Sequence, residues 1–81
     1  MKILPIHVAG ARAVLKMTQA DLASAAGVSE DTIRYFESER TVPREETLYR
    51  IQLALEKRGI EFLNDGEPGV RLRPSKAVIQ A

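Results

Sequence analysis

The sequence predicts a mainly α-helical domain that ends in a short β-hairpin. Thr18 and Ser29 each precede a run of helix-forming residues, at the position where a side-chain oxygen can cap a helix. Gly27 lies between the two runs and can adopt the left-handed backbone that ends a helix without a Cβ penalty. Near the C terminus, the segments IEFLN and VRLR alternate apolar and polar residues on either side of a loop rich in turn residues.

Length and composition restrict the classes of protein to which the chain can belong. Its 81 residues predict one domain near the lower size limit for independent folding, so dimerisation would help it. The composition is 44% hydrophobic and 28% charged, and we expect no signal peptide, no membrane-spanning segment and a cytoplasmic location. With no cysteine and one histidine, the sequence predicts neither a metal site nor a cofactor.

The net charge is +1, from 12 basic and 11 acidic residues, which gives weak electrostatic support for nucleic-acid binding. The basic residues are unevenly placed, however. Lys16, Arg34, Arg40 and Arg44 flank the two helical runs that meet at Gly27, although several acidic residues lie near them. We therefore expect any binding to nucleic acid to be modest and sensitive to salt.

The residues around Gly27 have the pattern of a helix-turn-helix. Ala23 is small, as required where two helices cross closely over a short turn. The apolar contacts around it are assigned to Leu22, Ala26, Val28, Ile33 and Phe36. Arg34 and Tyr35 fall outside this apolar repeat, so we expect both to face away from the core. The pattern is specific for a helix-turn-helix, because each of its residue types is required at its position for a different steric reason.

Another helix is predicted before this unit, from about Pro5 to Lys16. Its apolar face consists of Leu15 and one residue of each of two pairs, Ile6 or Val8 and Val14 or Ala11. Gly10 interrupts the helical pattern and would permit close packing at that point. The sole histidine, His7, is interpreted as a solvated polar position.

A further helix is predicted from about Glu45 to Arg58, with acidic residues in its first turn and basic residues at its end. The apolar stripe that closes the core consists of Leu48, Ile51 and Leu55. Tyr49 and Leu53 lie off this stripe and would be partly exposed to solvent on a monomer. Both are therefore predicted to contact a partner.

The hairpin is predicted from residues 60–64 and 70–73, within a C-terminal element of residues 60–74, and a loose tail is predicted at 75–81. A two-stranded hairpin is marginal in water and exposes an edge that can pair. We therefore predict a homodimer joined through this element, while the alternative, that the hairpin folds back on its own domain, stays open. The predicted interface residues are Tyr49, Leu53, Phe62, Val70 and Leu72.

From about Val8 to Leu55, the chain resembles the phage repressor and Cro class of DNA-binding domains, the XRE family. The likeness rests on Arg12, Thr18, Gln19, Leu22, Ala23, Gly27, Val28, Ile33, Glu37 and Pro43. It implies a compact, four- or five-helix lambda-repressor-like domain over residues 1–59, with the third helix in the major groove. It also implies a salt bridge between Arg12 and Glu37. Glu39 departs from the family's usual glycine, which implies a different helix cap or a strained residue.

The resemblance also implies which residues would contact double-stranded DNA. Those on the exposed face of the third helix, and thus near the bases, are Glu30, Asp31, Thr32, Arg34 and Tyr35. Those near phosphates are Thr18, Gln19, Arg40, Thr41 and Arg44. Arg34 is the strongest of these assignments, because a guanidinium can bind guanine through two parallel hydrogen bonds. The simpler alternatives are that Thr18 only caps its helix and that Asp31 only stabilises the start of the next one.

The expected function is that of a sequence-specific transcriptional regulator, acting as a repressor, that binds a pseudo-palindromic site as a homodimer. One alternative is the antitoxin of a toxin–antitoxin pair, in which residues 60–81 would bind the toxin protein. A second alternative is a protein-interaction module that does not bind DNA. An enzyme is disfavoured because the sequence offers no nucleophile with a base partner, no phosphate-binding glycine loop and no metal-ligand spacing.

Overall fold

A computed structural model describes residues 2–64 and 66–74; the predicted loose tail at 75–81 lies outside the described residues. Within the described part, four helices precede two strands: α1 Pro5–Leu15, α2 Gln19–Ala26, α3 Glu30–Glu37, α4 Glu45–Glu56, β1 Ile60–Asn64 and β2 Pro68–Leu72. This architecture confirms the predicted class, a mainly helical domain with a C-terminal hairpin. Helix α1 ends one residue, and helix α4 two residues, before the predicted position.

The start of α2 is held by reciprocal hydrogen bonds. The Asp21 N–H donates to Thr18 Oγ1 at 2.9 Å, and the Thr18 N–H donates to Asp21 Oδ2 at 2.9 Å. These bonds from Thr18 hold the pKa of the Asp21 carboxyl below its usual range. Ser29 caps α3 in a similar way, because its Oγ accepts the Thr32 N–H at 3.1 Å. Gly27, with φ of 70°, makes the sharp turn between the two helices.

All four helices and β1 contribute to one core. Its buried side chains are Ile3, Val8, Ala11, Leu22, Ala23, Ala26, Ile33, Phe36, Leu48, Ile51, Ala54, Leu55 and Ile60. In α1, where the sequence left two pairs open, Val8 and Ala11 face the core, whereas Ile6 and Val14 are exposed. Ala23, predicted to lie where α2 and α3 cross closely, is buried and belongs to this core.

The interpretation of His7 as a solvated residue was wrong, because its side chain is fully buried. Its Nδ1 accepts the Leu4 N–H at 3.0 Å, and its Nε2 lies 3.0 Å from the Leu63 carbonyl oxygen. A carbonyl can only accept, so Nε2 carries the hydrogen of a neutral ring. The ring edge also packs on Phe62, with 5.5 Å between centroids. His7 therefore ties the start of α1 to β1.

The two strands pair antiparallel within the chain, with Ile60 opposite Leu72 and Phe62 opposite Val70. One face of this hairpin packs on the helices: Ile60 is buried, and Phe62 and Val70 are partly buried against the core. A Cβ on Gly10 would lie 3.5 Å from Val70 Cγ2, an ordinary van der Waals distance, so β2 packs on α1 here at a separation that does not require glycine. The hairpin therefore folds back onto its own domain, which is the arrangement that the sequence left open.

The end of α3 shows how the chain replaces the family's usual glycine. The Arg40 N–H donates to the Tyr35 carbonyl at 2.9 Å, and the Glu39 N–H donates to the Phe36 carbonyl at 3.0 Å. This is the Schellman pattern, whose third element is a left-handed residue. Glu39 supplies it, with φ of 62°. The cap therefore has the usual Schellman hydrogen bonds. Its left-handed position is occupied by an L-residue with a side chain, which strains the backbone.

Replacing Glu39 with glycine should raise the free energy of unfolding by roughly 0.5–1 kcal/mol. The left-handed backbone costs an L-residue about 1–2 kcal/mol, and the greater freedom of glycine in the unfolded chain offsets about half of that gain. Denaturant unfolding followed by circular dichroism measures the change. Glu39→Ala removes the same charge but keeps a Cβ, so it should gain little. Equal gains from glycine and alanine would mean that backbone strain is not the cause.

Candidate nucleic-acid interface

The orientation of α3 is fixed by an ion pair to α1. Arg12 Nε and Nη2 each lie 2.6 Å from a carboxylate oxygen of Glu37, and Arg12 Nη1 donates to the Met17 carbonyl at 3.0 Å. The pair is largely shielded from water, since the Arg12 side chain is 20% exposed and that of Glu37 is 9% exposed. The hydrogen bond to Glu37, with its charge, raises the pKa of Arg12 above its ordinary value. The guanidinium therefore stays charged and holds the C-terminal end of α3 against α1.

The start of α2 lies beside the same carboxylate. Gln19 Nε2 donates to Glu37 Oε1 at 3.3 Å, which brings the first residue of α2 to the last residue of α3. Thr18 is exposed and uses its hydroxyl as the cap of α2. The N-terminal end of α2 and the C-terminal end of α3 therefore lie next to each other.

The outward face of α3 carries the residues assigned to base contact. Glu30, Asp31 and Arg34 are exposed, whereas Thr32 and Tyr35 are partly buried. Arg34 Nη2 forms an ion pair with Asp31 Oδ1, one helical turn earlier. The hydroxyls of Thr32 and Ser29 lie 2.8 Å apart, so Thr32 has a local partner. This face is open and contains an arginine with planar hydrogen-bonding donors.

Two cations lie close to the ring of Tyr35. The guanidinium carbon of Arg34 is 5.2 Å from the ring centroid, and that of Arg40, just after α3, is 5.9 Å away. Both distances fall within the range of a cation–π contact. Tyr35 therefore links the exposed face of α3 to the start of the loop that follows it.

A shallow groove separates α3 from the loop before α4. It is lined by Asp31, Thr32, Tyr35, Thr41, Val42, Pro43, Arg44 and Thr47. Sequence reasoning selected five of these residues but missed Val42, whose side chain is 74% exposed. The sequence carries no signal for Val42, because single apolar residues are common on protein surfaces, and only the groove groups it with the residues of α3.

The five residues assigned to a dimer interface differ in their exposure to solvent. Tyr49 and Leu72 are exposed, Leu53 is partly buried, and Phe62 and Val70 pack against the core of their own chain. Tyr49 and Leu53 line two different pockets. Tyr49 lines one together with Ile3, and Leu53 lines the other together with Ala25.

The described residues also lack two features of other protein classes. None of the described helices has both the length and the apolar character of a membrane span. Within the same residues, no group of three or more histidine, cysteine, aspartate or glutamate side chains is arranged to hold a metal ion.

The comparisons with known proteins agree with this geometry. The helix-turn-helix family model matches residues 11–62, a range that contains α2, the turn, α3 and α4. No curated protein matches the chain. Because the family match covers more than half of the chain and contains both helices of the unit, this protein belongs to the XRE-type helix-turn-helix family of DNA-binding regulators.

Proposed function

We propose that this protein is a transcriptional repressor that binds a pseudo-palindromic DNA site as a homodimer and blocks access to a promoter. The observation that carries the proposal is the open outward face of α3, where Arg34 and Tyr35 lie together. The Arg12–Glu37 ion pair holds that helix in place beside the start of α2. A helix presented in this way fits the major groove, with the preceding helix across the phosphate backbone.

Base reading is assigned mainly to Arg34. Its guanidinium can donate two hydrogen bonds to O6 and N7 of guanine, a contact that discriminates between bases by roughly 5- to 150-fold. In this proposal the Tyr35 ring and the Thr32 methyl group contact thymine methyl groups or sugars. Val42 extends this apolar contact from the other side of the groove.

Phosphate contacts are assigned to the two borders of the α3 face. Thr41 and Arg44 line the groove beside α3, and Arg40 stands at the start of the same loop. On the other border, Gln19 and Thr18 lie at the N-terminal end of α2, where helix dipoles favour anions. Contacts on both borders would fix the register of α3 along the groove without specifying sequence.

The homodimer is supported by features of the hairpin and of α4. The hairpin is a two-stranded sheet, so each strand has an edge that the other strand does not cover. Leu72 and Tyr49 are exposed apolar side chains that a second copy could cover. To bind two half-sites one turn of the duplex apart, the two copies of α3 in such a dimer would have to lie about 34 Å from each other.

Selection of bound oligonucleotides from a random pool tests the proposal with the full chain. We expect enrichment of an inverted repeat whose half-site centres are about 10 base pairs apart. Light scattering at micromolar concentration should give the mass of a dimer. A pool without enrichment would reject sequence-specific regulation. Enrichment of single half-sites by a protein of monomer mass would reject only the homodimer.

A further inference from the structure

The arginine assigned to guanine is already paired in the free protein. Arg34 Nη2 contacts Asp31 Oδ1, and both side chains face solvent, with 48% and 61% of their surfaces exposed. The residues are three apart, so the carboxylate lies directly beside the guanidinium on the helix surface. Any group that Arg34 contacts on DNA is therefore close to a negative charge.

This neighbour affects phosphates and bases in opposite ways. A phosphate carries a full negative charge, so Asp31 repels it at the position where Arg34 attracts it. The guanine edge offers the uncharged acceptors O6 and N7, and cytosine offers an N4 amino group that a carboxylate can accept. An exposed ion pair is weak, so a base edge that satisfies both partners can replace it.

We propose that Asp31 is a specificity-determining residue, which acts with Arg34 to read a guanine together with the amino group of a cytosine in the adjacent base pair, and to reject contact with phosphate alone. The inference rests on the proposed function and names the base step that it recognises. Arg34 donates to guanine O6 and N7 while Asp31 accepts from cytosine N4.

The position of Arg40 is consistent with a division of roles. Its guanidinium lies 5.9 Å from the Tyr35 ring, on the loop side of α3. Phosphates along the border of the groove can be neutralised there, so Arg34 is not needed for nonspecific attraction. Thr41 and Arg44 line the same border.

Asp31→Asn tests the inference, because it removes the charge and preserves the size of the side chain. Fluorescence anisotropy of the full chain would measure affinity for its selected site and for a random duplex of equal length, at several salt concentrations. We expect affinity for the random duplex to rise about tenfold and affinity for the selected site to change less than about threefold. For the random duplex, the slope of log K against log salt should steepen by about 0.9 per chain, as expected for one added phosphate contact.

Glu56→Gln is the matched control. It removes one negative charge at the end of α4, where Gln52 Nε2 donates to Glu56 Oε2 at 3.2 Å. Equal effects of the two variants would overturn the inference, because net charge would explain them. Unchanged binding of Asp31→Asn to the random duplex would also overturn it, because Asp31 would then not reject contact with phosphate. If the unmodified protein bound both duplexes equally, the proposed function itself would fail.

Discussion

Replacing Arg12 with alanine is expected to lower the free energy of unfolding by about 2–3 kcal/mol, which for a domain of this size lowers the melting temperature by about 10–20 °C. The loss is large because the Glu37 carboxylate, 9% exposed, would lose the partner that offsets its removal from water. Removing one partner of a fully buried pair costs about 3–5 kcal/mol, and the 20% exposure of Arg12 reduces that value. Thermal unfolding followed by circular dichroism measures the change.

Lys16→Ala is the comparison variant, because Lys16 is an exposed cation just after the same helix. Its left-handed backbone, φ of 57°, is equally unfavourable for alanine, so its melting temperature should change by no more than a few degrees. Equal melting temperatures for the two variants would show that the ion pair does not contribute.

A second substitution separates the ion pair from simple loss of packing by the arginine side chain. Adding Glu37→Gln to Arg12→Ala removes the uncompensated charge while Gln19 stays beside position 37. We expect the double variant to recover part of the lost stability, because a buried unpaired carboxylate costs more than a neutral amide. A double variant less stable than Arg12→Ala would contradict this explanation.

The central part of the fold could be predicted because its signals are local. Thr18 and Asp21, three residues apart, form hydrogen bonds with each other. The left-handed backbone of Gly27 turns the chain without depending on distant residues. His7 could not be placed in the same way, because its Leu63 partner is 56 residues away. For α1, Val8 and Ile6 both fitted the helical spacing, and only the packing of the other helices decides between them.

The candidate site likewise has features that the sequence predicts and features that it does not. Arg34 and Tyr35 could be predicted to face outward because they fall outside the apolar repeat of α3. The Asp31–Arg34 ion pair was not predicted, although the three-residue spacing carried the signal. The inward orientation of Phe62 and Val70 depends on contact between the hairpin and α1, which alternation along a strand cannot reveal.

Arg34→Ala should weaken binding to the selected site by about tenfold to a hundredfold, because it removes the donors assigned to guanine. Binding to random DNA should weaken less than binding to the selected site, because Arg34 paired with Asp31 makes no phosphate contact, although the unpaired Asp31 then repels nearby phosphates. The side chain is exposed, so the melting temperature should shift by no more than about 2 °C. Fluorescence anisotropy with both duplexes measures the two affinities.

Arg50→Ala provides the control, because Arg50 is also an exposed arginine with an ion pair on its own helix, to Glu46 at 2.9 Å. Equal losses for the two alanine variants would show that general positive charge, not base reading, drives binding. Arg34→Lys then distinguishes two contacts that Arg34 could make. Lysine retains the charge but lacks the planar fork, so it should preserve a phosphate contact and lose the preference for guanine. If the Arg34→Lys variant still preferred guanine, another residue on α3 would have to read that base.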